Sequence, residues 1–426
     1  MFLPTWYFVL SIIVVGWQAF LLLMALFEPA LRYQIECFEA PPIDSEEFLK
    51  SLEALTDAQV NHRCSVTVLT NGEQFYEAEL EAIGKARKSI NLEAYIFQRG
   101  QLSRRFLAAL SERAGAGVKV NVVLDGLGSF SSTRGYCREL IDAGGRIEFY
   151  HPFSWQSIAM VNNRTHRELL IVDGKVGFIG GAGIADHWLV PDKGRQRWRD
   201  TVVRVEGDVV PNLQATFAEN WLEACGEVLF GEEYFHFPQD SRSAKAMVVN
   251  SAPSPGGSTR ARILFQALVS AAQHSIHITS PYFLPDRSML RELERAARRS
   301  VDVKVIVPGK KSDHGLTRSS SRRLYGKLLR AGARIFEYHP AMIHAKILIV
   351  DGLWSVFGST NFDNRSFGLN DEVNLATCDE TVAQRLAEDF RSDLAESKEV
   401  TLAEWKRRPL IERIHEALGW AVQRQQ

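Results

Sequence analysis

The sequence predicts an α/β chain of two related domains behind one N-terminal membrane helix, and three observations carry that prediction. An uncharged apolar run opens the chain at Trp6–Phe27. Beyond it, apolar runs alternate with amphipathic stretches, the pattern of α/β domains. Four segments of the first half then recur in the second half in the same order, which a duplication explains and chance does not.

As a helix the opening run would span roughly 33 Å, enough for a bilayer core of about 30 Å. Trp6, Tyr7 and Trp17 suit a membrane helix, and no basic leader or small-residue cleavage site accompanies it. Residues 1–30 therefore read as a retained single-pass anchor rather than a signal peptide. Orientation has little support from basic residues, since only Arg32 follows closely. The 5 cysteines are odd in number, scattered and without a CxxC pair, which fits free thiols and a cytoplasmic catalytic part. With Lys+Arg 50 against Asp+Glu 51 the net charge is -1, so no global basic field points to nucleic acid as a partner.

Residues 31–61 read as a polar connector and 62–245 as the first domain. Ser, Pro and Gly crowd Ser251–Thr259, SAPSPGGST, and place a linker at 246–259 before a second domain at 260–400. At 401–426, Leu410, Ile411, Ile414, Leu418 and Ala421 fall at helical spacing among Lys406, Arg407, Arg408 and Arg413. That amphipathic helix has two readings: it lies on an anionic membrane surface, or its apolar stripe packs on the second domain.

The repeats begin with apolar strands, SINLEAYIF at Ser89 and SIHITSPYF at Ser275. A second pair is VKVNVVLDG from Val118 and VDVKVIVPG from Val301, and a third LIDAGGRIEFYHP at Leu140 and LLRAGARIFEYHP at Leu328. The fourth carries chemistry: HRELLIVDGKVGFIGG from His166 matches HAKILIVDGLWSVFGS from His344, with Asp173 and Asp351 at the same offset. Strand alternation would project His344 and Lys346 to one side. A histidine can attack phosphorus or pass a proton near neutral pH, and a lysine neutralises phosphate oxygens. Asp173 and Asp351, each followed by Gly, also fit hairpin turns. His151, His187 and His339 lack any repeated context and read as core or surface residues.

These motifs, with GSTNFDNRSFGLNDE at Gly358–Glu372, WRDTVVRVEG at Trp198, SPYFLPD at Ser280 and AYIF at Ala94, resemble the phospholipase D superfamily, and within it the bacterial cardiolipin synthases. The resemblance covers about Val66–Ser397. It implies two phospholipase D-like α/β/α domains and a single active site with His166, His344, Lys346, Asp173 and Asp351 as catalytic residues. Asn361 would bind substrate, and Asp200 and Glu372 would orient the imidazoles. It also implies a metal-free, cofactor-free two-step transfer through a phosphohistidine at the bacterial cell membrane, with phosphatidylglycerol as donor and acceptor and glycerol released. The family leans to His166 as the nucleophile. A hydrolase of lipid or nucleic-acid phosphodiesters and a binding protein with a decayed first site are the other readings. The sequence carries no signal of oligomeric state.

The first half departs from the family twice: Glu168 stands in the lysine position and Gly183 in the asparagine position of GGxN. One unit charge at about 4 Å and a dielectric near 20 is worth about 4 kcal/mol, so an ionised Glu168 would repel a phosphate that a lysine attracts. Three resolutions are open. Glu168 pairs with Arg164 or Arg167, or burial keeps it protonated, or the site is asymmetric and Lys346 alone grips phosphate. Two coupled departures favour an acquired role for Glu168 in binding or orienting substrate over decay.

Overall fold

The structure is a computed structural model and describes residues 5–26, 41–152, 162–191, 196–237, 243–253, 259–410, 412–413 and 416. Helix α1 spans Thr5–Leu26, and the side chains described on it, Trp6 to Phe20, are exposed. That described stretch measures roughly 22 Å as a helix. Among the described residues no helix is long and apolar enough to cross a membrane, and the anchor remains a proposal. Most of the expected C-terminal helix lies outside the described residues. Its described start is a short helix at Leu402–Lys406 that opens with a Thr401/Glu404 capping box.

Among the described residues fifteen strands form one sheet, which the duplication orders. The first half supplies β1 (Val60–Thr70), β2 (Ser89–Ala94), β3 (Lys119–Asp125), β4 (Arg146–Tyr150), β5 (Leu169–Val172), β6 (Val176–Gly180) and β7 (Thr201–Gly207). The second supplies β8 (Ala244–Ser251), β9 (Ser275–Thr279), β10 (Asp302–Pro308), β11 (Arg334–Tyr338), β12 (Ile347–Val350), β13 (Trp354–Gly358) and β14 (Glu372–Cys378), with β15 (Ser397–Glu399) on the edge. The order β11-β10-β9-β12-β13-β14-β8 is followed by β1-β7-β6-β5-β2-β3-β4, the same arrangement in reverse. The halves join where β1 pairs antiparallel with β8, Val60 opposite Met247. In each half three parallel strands adjoin a four-strand antiparallel run. Strand β2 is buried along its whole length even though Ser89, Asn91 and Glu93 alternate with its apolar residues, as in a parallel strand covered on both faces.

Three apolar clusters hold the layers. One packs helices of the first half, such as Gln101–Gly115 with Phe106 and Leu110, onto β2 and β3. A second packs Arg260–Ala271 and Arg287–Arg298 onto the strands of the second half. The third mixes both halves: Leu213, Phe217 and Trp221 of Val210–Cys225 share it with Leu386 and Phe390 of Glu380–Ala395 and with strand residues on both sides. Apolar surface shared across the junction in this way stabilises it by about 25 cal/mol per Å² buried.

One expectation about local structure is corrected. His166–Glu168 and His344–Lys346 are not ladder residues, because β5 begins at Leu169 and β12 at Ile347. These segments leave the sheet and bond across the junction instead. The His166 N–H donates to the Asp371 carbonyl at 2.9 Å, and the His344 N–H to the Arg199 carbonyl at 2.7 Å. Each histidine is thus pinned to the opposite half, His166 beside Glu372, which begins β14, and His344 beside Asp200, which precedes β7.

Candidate active site

The two imidazoles meet at one cavity and take their carboxylates crosswise. His166 Nδ1 lies 3.1 Å from Glu372 Oε2, and His344 Nδ1 lies 2.9 Å from Asp200 Oδ2. Each carboxylate is itself held. Asp200 accepts the Trp188 indole N–H at 3.0 Å and the Thr201 N–H at 2.8 Å, while Glu372 accepts the Ser359 hydroxyl and the Asn370 amide. With Nδ1 donating to a carboxylate, Nε2 is the nitrogen left for chemistry. Aromatic rings fix the ring planes: Tyr95 stands edge-on to His166, and Trp188, Trp198 and Tyr282 surround His344.

The cavity measures about 660 Å³ and is lined by both histidines, Asn361 and Asn370, with Tyr95, Trp198, Tyr282 and Leu316 as apolar walls. Charge enters it through Arg164, Asp313, Asp363 and Arg365. Of these, sequence reasoning placed Asp363 and Arg365 only in the resemblance and missed Asp313 altogether. Asp313 sits in a loop before the helix Gly315–Ala331 and has no marked counterpart in the repeat, so periodicity could not find it. Asn361 borders the cavity 3% exposed, and its Oδ1 has no hydrogen-bond partner among the described residues.

Burial and the Lys346 ammonium hold the His344 imidazole below its ordinary range. The Lys346 Nζ lies 2.8 Å from His344 Nδ1, 3.2 Å from its Nε2 and 2.8 Å from the His344 carbonyl oxygen. Its own value is lowered by burial, against the pull of Asp200, Glu372 and Glu168. Burial pushes Asp200 up, but its bond to His344 and the charge of Lys346 outweigh that and keep it below the usual carboxylate range.

Among the described residues Glu168 meets no arginine. Arg167 turns away to the Thr216 carbonyl and Glu219, and Arg164 reaches Asp125 and the carbonyls of His151 and Asn163. Instead, burial raises the Glu168 carboxyl well above its usual range, against the opposing effects of two backbone amides and Lys346. Its Oε1 accepts the Tyr95 and Ile96 N–H groups at 3.2 Å and 3.3 Å. A small cavity beside it also admits Glu79 and Glu93, which burial pushes up to about 8 and about 7. Gly181 and Gly183 complete the arrangement. A Cβ on Gly181 would meet Lys346 Nζ at 2.7 Å, and one on Gly183 would meet the Ile96 carbonyl oxygen at 2.6 Å.

Asp173 and Asp351, expected among the catalytic residues, lie away from the cavity. Asp351 adopts φ 53 and its carboxylate accepts the N–H groups of Gln273, His274 and Ser275 at 2.8, 2.8 and 2.7 Å. Asp173 adopts φ 54 and binds those of Arg87, Lys88 and Ser89 in the same way. The hairpin-turn alternative therefore describes their geometry, because a short carboxylate in the left-handed region reaches the start of the neighbouring strand. His151 bonds Glu223 at 2.8 Å and stacks on Tyr150, and His187 packs on Trp188 and Trp198; neither histidine lines the cavity.

Comparison with known proteins agrees with this geometry. The family model for "Cardiolipin synthase, PLD-like domain" matches residues 80–221 and 265–394. A cardiolipin synthase of Geobacillus sp. (strain WCH70) is 35% identical over 354 residues, covering 83% of this chain and 70% of the relative. The major cardiolipin synthase of Bacillus subtilis (strain 168) is 33% identical over 403 residues, covering 92% and 83%. Among solved structures, a phosphatidylserine synthase of Haemophilus influenzae shares the fold with a TM-score of 0.67 at 13% identity, covering 89% of this chain and 100% of that one. A duplicated sheet, two histidines paired crosswise, and relatives of this length and identity lead to one conclusion: the chain belongs to the cardiolipin synthase family of phospholipase D-like proteins.

Proposed function

We propose that the chain is a phosphatidyl transferase that joins two phosphatidylglycerols and releases glycerol. The observation that carries this reading is the convergence of His166 and His344, each on its own carboxylate, at one cavity, in a chain whose relatives are cardiolipin synthases. One imidazole attacks the donor phosphorus as its bond to the glycerol oxygen breaks, and the other gives that oxygen a proton. The second imidazole then takes the proton of the incoming hydroxyl, whose oxygen displaces the phosphohistidine. Lys346 and Asn361 hold phosphate oxygens, and Asp200 and Glu372 fix the imidazole tautomers. Asp173 and Asp351 act on the fold rather than on substrate. Turnover on phosphatidylglycerol vesicles tests the reading: diphosphatidylglycerol with stoichiometric glycerol supports it, and phosphatidic acid alone makes the chain a hydrolase. Mapping the trapped phosphohistidine by mass spectrometry assigns the nucleophile.

Helix α1 is proposed to anchor this catalytic part to the bacterial cell membrane, with the catalytic part on the cytoplasmic side. Support comes from the uncharged run Trp6–Phe27 and from the exposure of the described side chains of α1, which find no core to enter. Flotation with liposomes before and after deletion of residues 1–30 tests it, and unchanged flotation rejects it.

A further inference from the structure

Among the charged side chains bordering the cavity, Arg365 is distinguished by its partners. Arg164 is buried and faces Asp125 at 3.4 Å, and Asp313 accepts the Tyr282 hydroxyl at 2.6 Å. Arg365 is half-buried and its hydrogen bonds go to one neutral residue, Asn162, through the side-chain oxygen at 3.0 Å and the carbonyl at 3.1 Å. No carboxylate among the described residues forms an ion pair with it. Its neighbour Asp363 is pushed up to about 7 by burial and so answers the cation only in part. Two of five guanidinium N–H groups are spent on Asn162, and the remaining three have no hydrogen-bond partner among the described residues. The Asn162 clamp also fixes the planar fork in advance, which suits recognition of a phosphate.

A second group points into the same space. Asn370 donates its Nδ2 to Glu372 Oε1 at 3.2 Å, which settles the orientation of the amide. Asn370 lines the cavity, 5% exposed as a residue, and its buried Oδ1 has no hydrogen-bond partner among the described residues. A buried acceptor left unmet calls for a donor on the ligand.

An anion site and a hydroxyl site beside two imidazoles match a phosphoglycerol headgroup. We propose that Arg365 and Asn370 form the headgroup subsite of the accepting lipid, Arg365 binding its phosphodiester and Asn370 Oδ1 its secondary hydroxyl, which leaves the primary hydroxyl for transfer. This rests on the transferase reading above. In the transfer step the primary hydroxyl oxygen forms the new P–O bond and its proton passes to the imidazole that carries no phosphorus. The P–N bond breaks, and its electron pair returns to the other imidazole. Free glycerol as acceptor lacks the phosphate and has no use for Arg365.

The test measures two reactions on phosphatidylglycerol vesicles: diphosphatidylglycerol formation, and exchange of labelled glycerol into phosphatidylglycerol. Arg365→Gln should lower the ratio of the first to the second at least about thirtyfold, and Arg365→Lys should recover part of it. With the parent chain, an equimolar lipid bearing a phospho-1,3-propanediol headgroup, which lacks the secondary hydroxyl, should be used as acceptor at least about tenfold less than phosphatidylglycerol. A parallel fall of both reactions in Arg365→Gln would place the arginine on the donor phosphate or in the fold. That result overturns the subsite and leaves the transferase reading standing. Equal use of the propanediol lipid removes Asn370 from the subsite. A parent chain that yields only phosphatidic acid overturns the transferase reading, and the subsite with it.

Discussion

Glu168 and Gly183 are fitted to each other: a Cβ on Gly183 would lie 3.0 Å from Glu168 Oε1, tighter than nine in ten real contacts of that kind. The Tyr76 hydroxyl donates to the Gly183 carbonyl and holds that loop in place. The two departures from the family motif are thus one rearrangement, in which a glycine loop closes over a carboxyl that caps the Tyr95 and Ile96 amides.

Replacement of Glu168 by lysine should therefore not restore an ancestral site. A lysine there would face two N–H donors and the Lys346 ammonium, a like-charge contact worth about 4 kcal/mol at 4 Å and a dielectric near 20. Glu168→Lys should lose at least about a hundredfold in turnover, while Glu168→Gln, whose amide oxygen still accepts both N–H groups, stays within about tenfold. Turnover on phosphatidylglycerol with folding checked by thermal melts decides it. A lysine variant as active as the parent would reduce Glu168 to a harmless substitution.

The same residue predicts a pH dependence of stability. Its folded value is raised above the unfolded one, so the stability it contributes is complete below about pH 4.5 and is lost as pH rises towards the folded value. Glutamine does not titrate. The stability of Glu168→Gln relative to the parent should therefore improve between pH 4.5 and neutrality, by at most about 1.4 kcal/mol per pH unit. Urea unfolding of both proteins across that range measures the difference, in which His344 and other shared groups cancel. A difference that does not change with pH means that Glu168 is ionised in the native state.

Both histidines should be indispensable. His166→Ala and His344→Ala are each predicted to lower kcat at least about ten-thousandfold with thermal melts close to the parent, since each imidazole has its own step. Asp200→Asn should keep substrate binding and lose kcat by about a hundredfold or more, because the amide no longer enforces the His344 tautomer. Near-parental turnover in the His166 variant would reject the shared site.

Asp351 separates fold from chemistry. Its carboxylate accepts three backbone N–H groups, and hydrogen bonds to a charged acceptor are worth about 1.5–3 kcal/mol each at most. Asp351→Asn should lower unfolding free energy by about 1–3 kcal/mol and leave kcat of the folded fraction within about threefold. A collapse of kcat at unchanged stability would return Asp351 to the catalytic set.

The sequence by itself determined the duplication, the α/β class and the two histidines, because repeats and apolar periodicity are written residue by residue. Matching spacing around His166 and His344 was enough to place both in one site, and the same spacing singled out Glu168 and Gly183 as departures. The sequence could not say which carboxylate serves which histidine. The crosswise pairs His166 with Glu372 and His344 with Asp200 arise because each histidine segment lies outside the sheet ladder and bonds to the other half. The resemblance drew Asp173 and Asp351 into the catalytic set, whereas their left-handed backbone and the strand starts they cap place them away from the cavity. The cavity wall from Asp313 to Thr317 and the state of Glu168 were also decided by tertiary structure. Periodicity reports which face of an element is apolar, whereas charge state and contacts depend on what the opposite half brings within a few ångströms.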